Sequence, residues 1–547
     1  MTHVVIVAGG LGSRLAPLTN NIPKFLVNIG KNTGYVEQVR YWLNHTSFTL
    51  DDAEADIADF IDPGSLTVVV HSAYAELIAE YHKMYFPNVP LIIKTVDVAN
   101  GSAHAILSTC DHLEGKEVFF QWCDVMPGVS IPVGEMIEHY HGANVIFTNY
   151  DHPNRYGLNR TGAGWADVRP ALQEDGRGGI FGMYYVSKFH TSVPYHDGQD
   201  FVEVIESFGP IREHKVESII DWGDKPKLDR TRDTADAARE FNSVAFHSDL
   251  VLKSALNAQG ENLIAREIGW YRALDEMNSS VCRPQTWPAT NKKSFVMSRV
   301  EGVPIYKLWP TLDNEGRAFV LERVFEQLDL LHGTSKVEVG TEVVLRDVKL
   351  EACDKLLSRY REIKGVIDSF GPVHTVNGQH IGLSVDPEVI IHRLYAALHA
   401  HYAATKDYQL VHGDLQMSNS MINPDTLEIT FIDPRGYFGK SETYGLADYD
   451  VAKLYYSLSG YDLFNYSREF GIKSLKDGHI EFDIPKPNLD GCEDLMVARF
   501  WYWHQLWLAV IWIGLAGYIK SDPVKSVCAH YHGLAMASRV LTEDFSL

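Results

Sequence analysis

The sequence predicts an α/β protein of two or more domains. Three observations lead there. With 547 residues the chain is too long for one hydrophobic core, because cores stop growing at roughly 250–300 residues and chains then divide. Val4–Ala8 and Leu66–His71 are short, almost wholly apolar runs, as in strands of a parallel sheet covered on both faces. Residues 229–239 are charged and lack apolar periodicity, which reads as a connection; strand-like runs follow it, and from Arg317 onward the spacing is mainly helical.

Composition narrows the function. Apolar and charged fractions are 45% and 22%, those of an ordinary globular protein. A formal charge of −22 argues against nucleic acid as a partner, since its phosphates would be repelled. It does not argue against nucleotides, which local loops and metal can bind. The six cysteines show no CxxC pair, which suits a reducing cytoplasm and no structural zinc. Met1 runs straight into a strand-like segment, so no signal peptide is expected. Leu506–Ile519 is apolar for 14 residues, short of the roughly 20 a bilayer helix needs, and Lys520 closes it. A buried core helix is expected there, not a membrane span. No repeat, low-complexity run or heptad pattern is present, and a homo-oligomer is left open.

The first strand ends in Gly9-Gly10-Leu11-Gly12-Ser13-Arg14-Leu15, followed by Pro17-Leu18-Thr19 and Pro23-Lys24. Glycines directly after a strand let backbone amides approach phosphates closely, and Arg14 and Lys24 supply charge for a triphosphate. The spacing is neither GxGxxG nor a Walker loop. With Arg-Leu-x-Pro-Leu-Thr and Pro-Lys it resembles the signature of nucleotidyltransferases that make activated sugars and alcohols. That resemblance implies a Rossmann-like domain over 1–232, with Gly9, Gly10, Gly12 and Ser13 at the phosphates and Asn100-Gly101-Ser102 at the base. It implies Asp124, after the strand Val118–Trp122, as the first metal aspartate, and Asp151–Gly157 as a Pro-x-Arg-Tyr-Gly-type turn. Asp221-Trp222-Gly223 falls where the second metal aspartate belongs. The threonine of that segment is replaced by Asp224, so Asp221 or Asp224 is the ligand.

The most informative stretch is Val411–Gly436, VHGDLQMSNSMINPDTLEITFIDPRG. It reads as a loop, a hairpin with a strand over Leu427–Ile432, and a second loop. The order His-Gly-Asp414, then Asn419, then a strand ending at Asp433 is what phosphoryl transfer needs. One carboxylate takes the proton of an attacking hydroxyl, and a carboxamide and a second carboxylate hold magnesium. A surface turn would account for any one of these residues, but not for their order. The segment resembles the catalytic segment of the choline kinase and aminoglycoside phosphotransferase family. The resemblance implies a protein-kinase-like bilobal (α+β) domain, with residues 240–303 as its first lobe, 304–547 as its helical lobe and 233–239 as the linker before it. Asp433-Pro434-Arg435 replaces the Asp-Phe-Gly of protein kinases. Lys253 ends a strand and Glu267 sits on a following helix, the pairing by which kinase folds aim an ammonium at the α- and β-phosphates. Phe295–Gly302 is similar to the strand and hinge that hold adenine. Asp450 either fixes the catalytic loop or is a plain carboxylate at a helix N-terminus.

Together the two resemblances imply consecutive steps. A small alcohol is phosphorylated by ATP, and the product attacks the α-phosphate of a second nucleoside triphosphate, with Mg2+ in both domains. Bacterial choline pathways use these two activities, and fused versions resemble this chain, which favours CTP and a cytidylyltransferase. The loop around Gly101 does not by itself distinguish cytosine from uracil or thymine. Choline, another amino alcohol, a polyol and a sugar all stay open as acceptor. The implied destination of the product is a surface polysaccharide or lipid. Two unlinked activities, or one domain reduced to a binding module, are the alternatives.

Overall fold

The structure is a computed structural model that describes residues 2–10, 12–44, 61–129, 131, 133–140, 142–150, 156–159, 166–170, 179–235, 242–288, 293–381 and 386–542. It divides into two compact units. One comprises Met1–Asp236 with the short segments Gly365–Phe370 and Ser521–Pro523, and the other holds the remainder.

The first unit is built on a nine-stranded sheet. Its strands are β1 (Thr2–Ala8), β2 (Ile61–His71), β3 (Ile92–Val96), β4 (Val118–Trp122), β6 (Asn144–Asn149), β7 (Tyr156–Asn159), β8 (Ala166–Pro170), β9 (Gly179–Val186) and β10 (Ile211–Lys215). The order is β10-β6-β9-β4-β1-β2-β3, with β7 and β8 attached beside β9. Strands β2 and β4 flank β1, and both run parallel to it. Val4 to Ala8 are all buried, which is why that run carries no alternation. The chain winds away from β1 in both directions, so a crevice opens beyond the carboxyl ends of β1 and β4. A small ladder, β5 (Val125–Pro127) against β11 (Ile219–Asp221), lies next to that crevice and pairs Val125 with Asp221. Helices α1 (Gly34–Asn44), α2 (Ala75–Tyr85), α3 (Gly101–Leu107), α4 (Val133–His139) and α5 (Lys225–Ala235) accompany the sheet.

Helix α5 corrects one expectation. Residues 229–235 are helical instead of a loose charged connection. Leu228 and Arg232, four apart, are both buried on one face, a stripe too short to show in so charged a run. The rest of the expected linker, 236–239, and residues 151–155 of the expected Pro-x-Arg-Tyr-Gly-type turn lie outside the described residues.

The second unit begins with a four-stranded antiparallel sheet. Its strands are β12 (Asn242–His247), β13 (Leu250–Ala255), β14 (Thr286–Pro288) and β15 (Ser294–Ser298), in the order β12-β13-β15-β14. Helix α6 (Ala258–Glu276) is capped by the Asn257 side chain, which accepts from Gly260 N at 2.9 Å. Its Ile264, Ile268, Tyr271 and Leu274 are buried in a core shared with Val251, Phe295 and Met297 of the sheet. The hairpin pairs Ser420–Ile422 with Ile429–Phe431. Its second strand is shorter than the alternation suggested: Leu427 has φ +60° and belongs to the turn. Helices make up most of the rest, among them Asn314–Thr334, Ala447–Leu458, Tyr502–Tyr518 and Pro523–Thr542, with small sheets of two- to four-residue strands between them. Leu506 to Gly517 are all buried, so the apolar run is a core helix. Among the described residues no helix is long and apolar enough to cross a membrane.

Candidate active sites

In the first unit the loop after β1 forms one wall. Gly9 meets β3 and α3 so closely that a Cβ would lie 3.2 Å from Val96 and 3.3 Å from Ala105. Gly12 adopts φ +67°, and its carbonyl accepts from Thr19 Oγ1 at 2.8 Å. Ser13 opens a short turn that carries Arg14, whose side chain is 65% exposed. Gly10 is exposed with open space above it. The loop therefore offers backbone and one exposed guanidinium, 3.9 Å from Asp124 Oδ2, to the crevice.

Lys24 is buried and donates to Asp124 Oδ2 and to the Gly223 carbonyl. Trp222 N donates to the Asp124 carbonyl at 3.0 Å, which stitches the end of β11 to the end of β4. Trp222 itself is fully buried against Gly34, where a Cβ would lie 2.5 Å from the indole. The consequence is convergence: a Cβ built on Gly223 would sit 3.0 Å from Asp221 Oδ1 and 3.1 Å from Asp124 Oδ2. Asp224 has a different task. Its Oδ1 accepts from Lys227 N at 3.1 Å and caps α5. Lys227, not singled out from sequence, donates to Asp221 Oδ2 at 2.6 Å.

Asn100, Gly101 and Ser102 sit at the start of α3, pinned to the segment 197–201. Gly101 has φ +86°, and a Cβ there would fall 2.3 Å from the Gln199 carbonyl oxygen, so glycine is required. Asn100 Nδ2 donates to Asp197 Oδ1 at 2.7 Å. The Ser102 hydroxyl donates to Asp200 Oδ1 at 3.1 Å and accepts from Phe201 N at 2.8 Å. Both side chains are thus occupied in shaping the loop, and nothing in the sequence pointed to 197–201 as the partner.

In the second unit Lys253, on the central strand β13, donates to Glu267 Oε2 at 2.6 Å and to Asp433 Oδ1 at 2.8 Å. Burial works to lower the ammonium, but Asp433 and Glu267 outweigh it and hold its pKa above the usual lysine value. The loop 412–419 is held from several sides. Asp450 is fully buried and accepts from His412 N and Gly413 N, each at 2.7 Å. That decides its role in favour of fixing the loop. His412 Nε2 donates to the Ile432 carbonyl at 3.0 Å and Nδ1 accepts from Asp414 N at 3.3 Å, a neutral tautomer in keeping with its burial-lowered pKa. Ile432 N donates to the Asn419 carbonyl at 3.0 Å, which brings Asn419 beside the residue preceding Asp433.

Asp414 Oδ1 accepts from Gln416 Nε2 at 3.0 Å and from Lys453 Nζ at 2.8 Å. Burial would raise its pKa; Lys453 outweighs that, with lesser help from Arg435, and the carboxyl lies below its usual range. Asp433 is held at φ +54°, an uncommon backbone state that turns its carboxylate toward Lys253. Arg435 is bound by Glu351, which sits on a π-helical turn, Leu350–Asp354, and by the Tyr437 ring at 3.8 Å. Lys453, Gln416 and Glu351 were missed from sequence. Lys453 had a signal, its spacing of three from Asp450 on one helix. Glu351, 84 residues before Arg435, had none.

Both donor sets fit magnesium. Asp124 Oδ2 and Asp221 Oδ1 flank Gly223 from two sides, and Asn419 Nδ2 donates to the Asp414 carbonyl at 2.8 Å, which leaves its amide oxygen for a cation near Asp433. Among the described residues no group of three or more His, Cys, Asp or Glu side chains forms a metal cluster. A hard cation that keeps most of its waters needs only a pair of such oxygens.

Residues 237–463 match the phosphotransferase enzyme family, so the C-terminal region carries a phosphotransferase-family domain. Among solved structures, one similar to the chain is a Bacillus anthracis protein assigned as a glucose-1-phosphate thymidylyltransferase, in complex with sucrose. It is 17% identical, with a TM-score of 0.36, covering 44% of this chain and 97% of that one. Another is HddC from Yersinia pseudotuberculosis complexed with GMP-PN, 18% identical, with a TM-score of 0.34, covering 43% and 99%. No curated protein matches the chain.

Proposed function

We propose that the chain is a bifunctional enzyme running consecutive steps. The second unit phosphorylates a small alcohol with ATP, and the first joins that product to a nucleoside triphosphate, CTP by preference, releasing pyrophosphate and an NDP-alcohol for surface polysaccharide or lipid decoration. The observation that carries this reading is that each unit brings together, from its own residues, one phosphoryl-transfer constellation.

In the second unit Lys253, braced by Glu267, reaches the α- and β-phosphates. Asp414 orients the acceptor hydroxyl and takes its proton late. In the first unit the amides of the Gly9–Ser13 loop and the side chains of Arg14 and Lys24 neutralise the triphosphate, while α3 and its loop frame the base. No protein base is needed there, since a phosphate oxygen is already a competent nucleophile. Bound magnesium, on Asp124 with Asp221 and on Asn419 with Asp433, supplies charge neutralisation at phosphorus. Both reactions are in-line displacements, so positioning and charge do most of the catalysis. A cytoplasmic location, where ATP and CTP are available, suits the six free cysteines.

The test is a scan of nucleoside triphosphates for pyrophosphate release against a panel of phosphorylated alcohols, beside a scan of free alcohols for ADP formation. The alcohol phosphorylated fastest should, once phosphorylated, be the one the first unit accepts. If the isolated kinase product is accepted with no nucleoside triphosphate, the activities are unlinked.

A further inference from the structure

Helix α6 carries Glu267, the brace of Lys253, and neighbouring side chains fasten the helix to both loops of the site. Arg266 and Trp270, four residues apart, share one side of it. Trp270 Nε1 donates to the Val411 carbonyl at 2.8 Å, at the root of the loop that carries Asp414. Gly436, in the loop that carries Asp433, packs so close that a Cβ there would lie 2.8 Å from the Arg266 carbonyl oxygen and 3.4 Å from Trp270 Cβ. The next residue, Tyr437, meets two guanidiniums: Arg435 lies 3.8 Å and Arg266 4.2 Å from its ring centroid. Arg435 belongs to the loop and is bound by Glu351, whereas Arg266 belongs to α6. The Tyr437 ring thus links the helix that carries Glu267 to the loop that carries Asp433. Phe438 packs elsewhere, against Tyr449 and Trp507. Arg266 also faces Glu442 at 3.7 Å, but Glu442 is 70% exposed and such a pair is worth little.

We propose that Tyr437 is a positioning residue for ATP: through Arg266 it holds α6 where Glu267 braces Lys253, and so sets how firmly the Lys253 ammonium meets the α- and β-phosphates. The proposal rests on the reading of the second unit as an ATP-dependent kinase. Lys253 is drawn both to Glu267 at 2.6 Å and to Asp433 at 2.8 Å. If α6 draws back, Glu267 goes with it and Asp433 holds the ammonium alone. A cation over an aromatic face is attracted by the ring itself, so the Tyr437 hydroxyl is dispensable to the link. Misplacing a phosphate-binding group by about 1 Å is enough to cost on the order of 100-fold in rate.

The experiment uses the full chain and reads ADP release, which the pyrophosphate chemistry of the first unit does not produce. Mg·ATP is varied with choline, ethanolamine, glycerol and glucose as acceptors and water alone as baseline. Tyr437→Ala should raise KM for ATP about 10-fold and lower kcat about 10-fold. Tyr437→Phe should restore both to within about three-fold of wild type. Lys253→Met removes the group being positioned, so adding Tyr437→Ala to it should lower kcat/KM by no more than about three-fold further. Should Tyr437→Ala not fold, Arg266→Met, which opens the same link from the helix side, is read by the same kinetics and the same double variant. Wild-type kinetics in Tyr437→Ala overturn the proposal. So do losses that multiply in the double variant, the mark of a merely structural role, and so does a Tyr437→Phe chain as impaired as Tyr437→Ala. Lys253→Met separates this from the parent reading. If that variant releases ADP like wild type, the kinase reading falls and takes the proposal with it. If it is impaired while Tyr437→Ala keeps wild-type kinetics, the Tyr437 inference alone falls.

Discussion

Asp221 and Asp224 stand three residues apart, and the fold gives them different work. Asp221 flanks Gly223 together with Asp124, whereas Asp224 caps α5. Asp221→Asn should therefore abolish pyrophosphate release while leaving stability nearly intact. Asp224→Ala should cost about 1 kcal/mol of stability through the lost cap and leave turnover within a few-fold of wild type. Steady-state rates beside melting curves for the two variants decide this, and the reverse pattern would make Asp224 the ligand. At this scale the sequence was most legible where chemistry is local. Asp414, Asn419 and Asp433 lie in the two segments that flank one hairpin, so their order alone marked them as candidates. Asp124 and Asp221 needed the motif around each. The partners that orient these groups were hidden. Lys227 and Lys453 look like ordinary helix lysines, and Glu351 meets Arg435 only through tertiary folding.

Among the elements, the π-helical turn Leu350–Asp354 has an electrostatic cost attached. It delivers Glu351 between Arg435 and Lys355, with Lys355 Nζ 2.8 Å from Glu351 Oε2. Burial and the neighbouring Arg435 push the Lys355 amine down to about 7, against the pull of Glu351. Between that value and the ordinary lysine range near 10.4, the unfolded chain holds a proton that the folded chain has released. Stability of the second unit should therefore rise with pH from about 7 to 10, by on the order of 1 kcal/mol per unit at most. Lys355→Met should remove that slope. Denaturation midpoints of both proteins at pH 7, 8.5 and 10 measure it, and a constant gap between them would show that Lys355 titrates normally. Element types were largely readable: an unbroken apolar run gave β1, and an apolar run too short for a bilayer gave a core helix. Ends were less so, because α5 continues through a stretch whose charge concealed its two buried positions, Leu228 and Arg232.

For the whole molecule, what matters is that neither constellation borrows a residue from the other unit. Lys24, Asp124 and Asp221 belong to one, and Lys253, Asp414, Asn419 and Asp433 to the other. The division was visible in the sequence as two motif sets that never interleave, though the acceptor was not, since no local pattern names it. In genetic terms, lesions in the two halves fall into separate complementation groups. Asp124→Asn and Asp414→Asn chains, each unable to carry free alcohol, ATP and CTP through to the NDP-alcohol, should do so when mixed. The intermediate must then leave one chain and find another, so product should appear after a lag that shortens as the total protein concentration rises. Chromatography of nucleotide products over time reads both features. A mixture that stays silent, although each variant keeps its own remaining reaction, would mean that the phosphorylated alcohol never leaves the chain that made it.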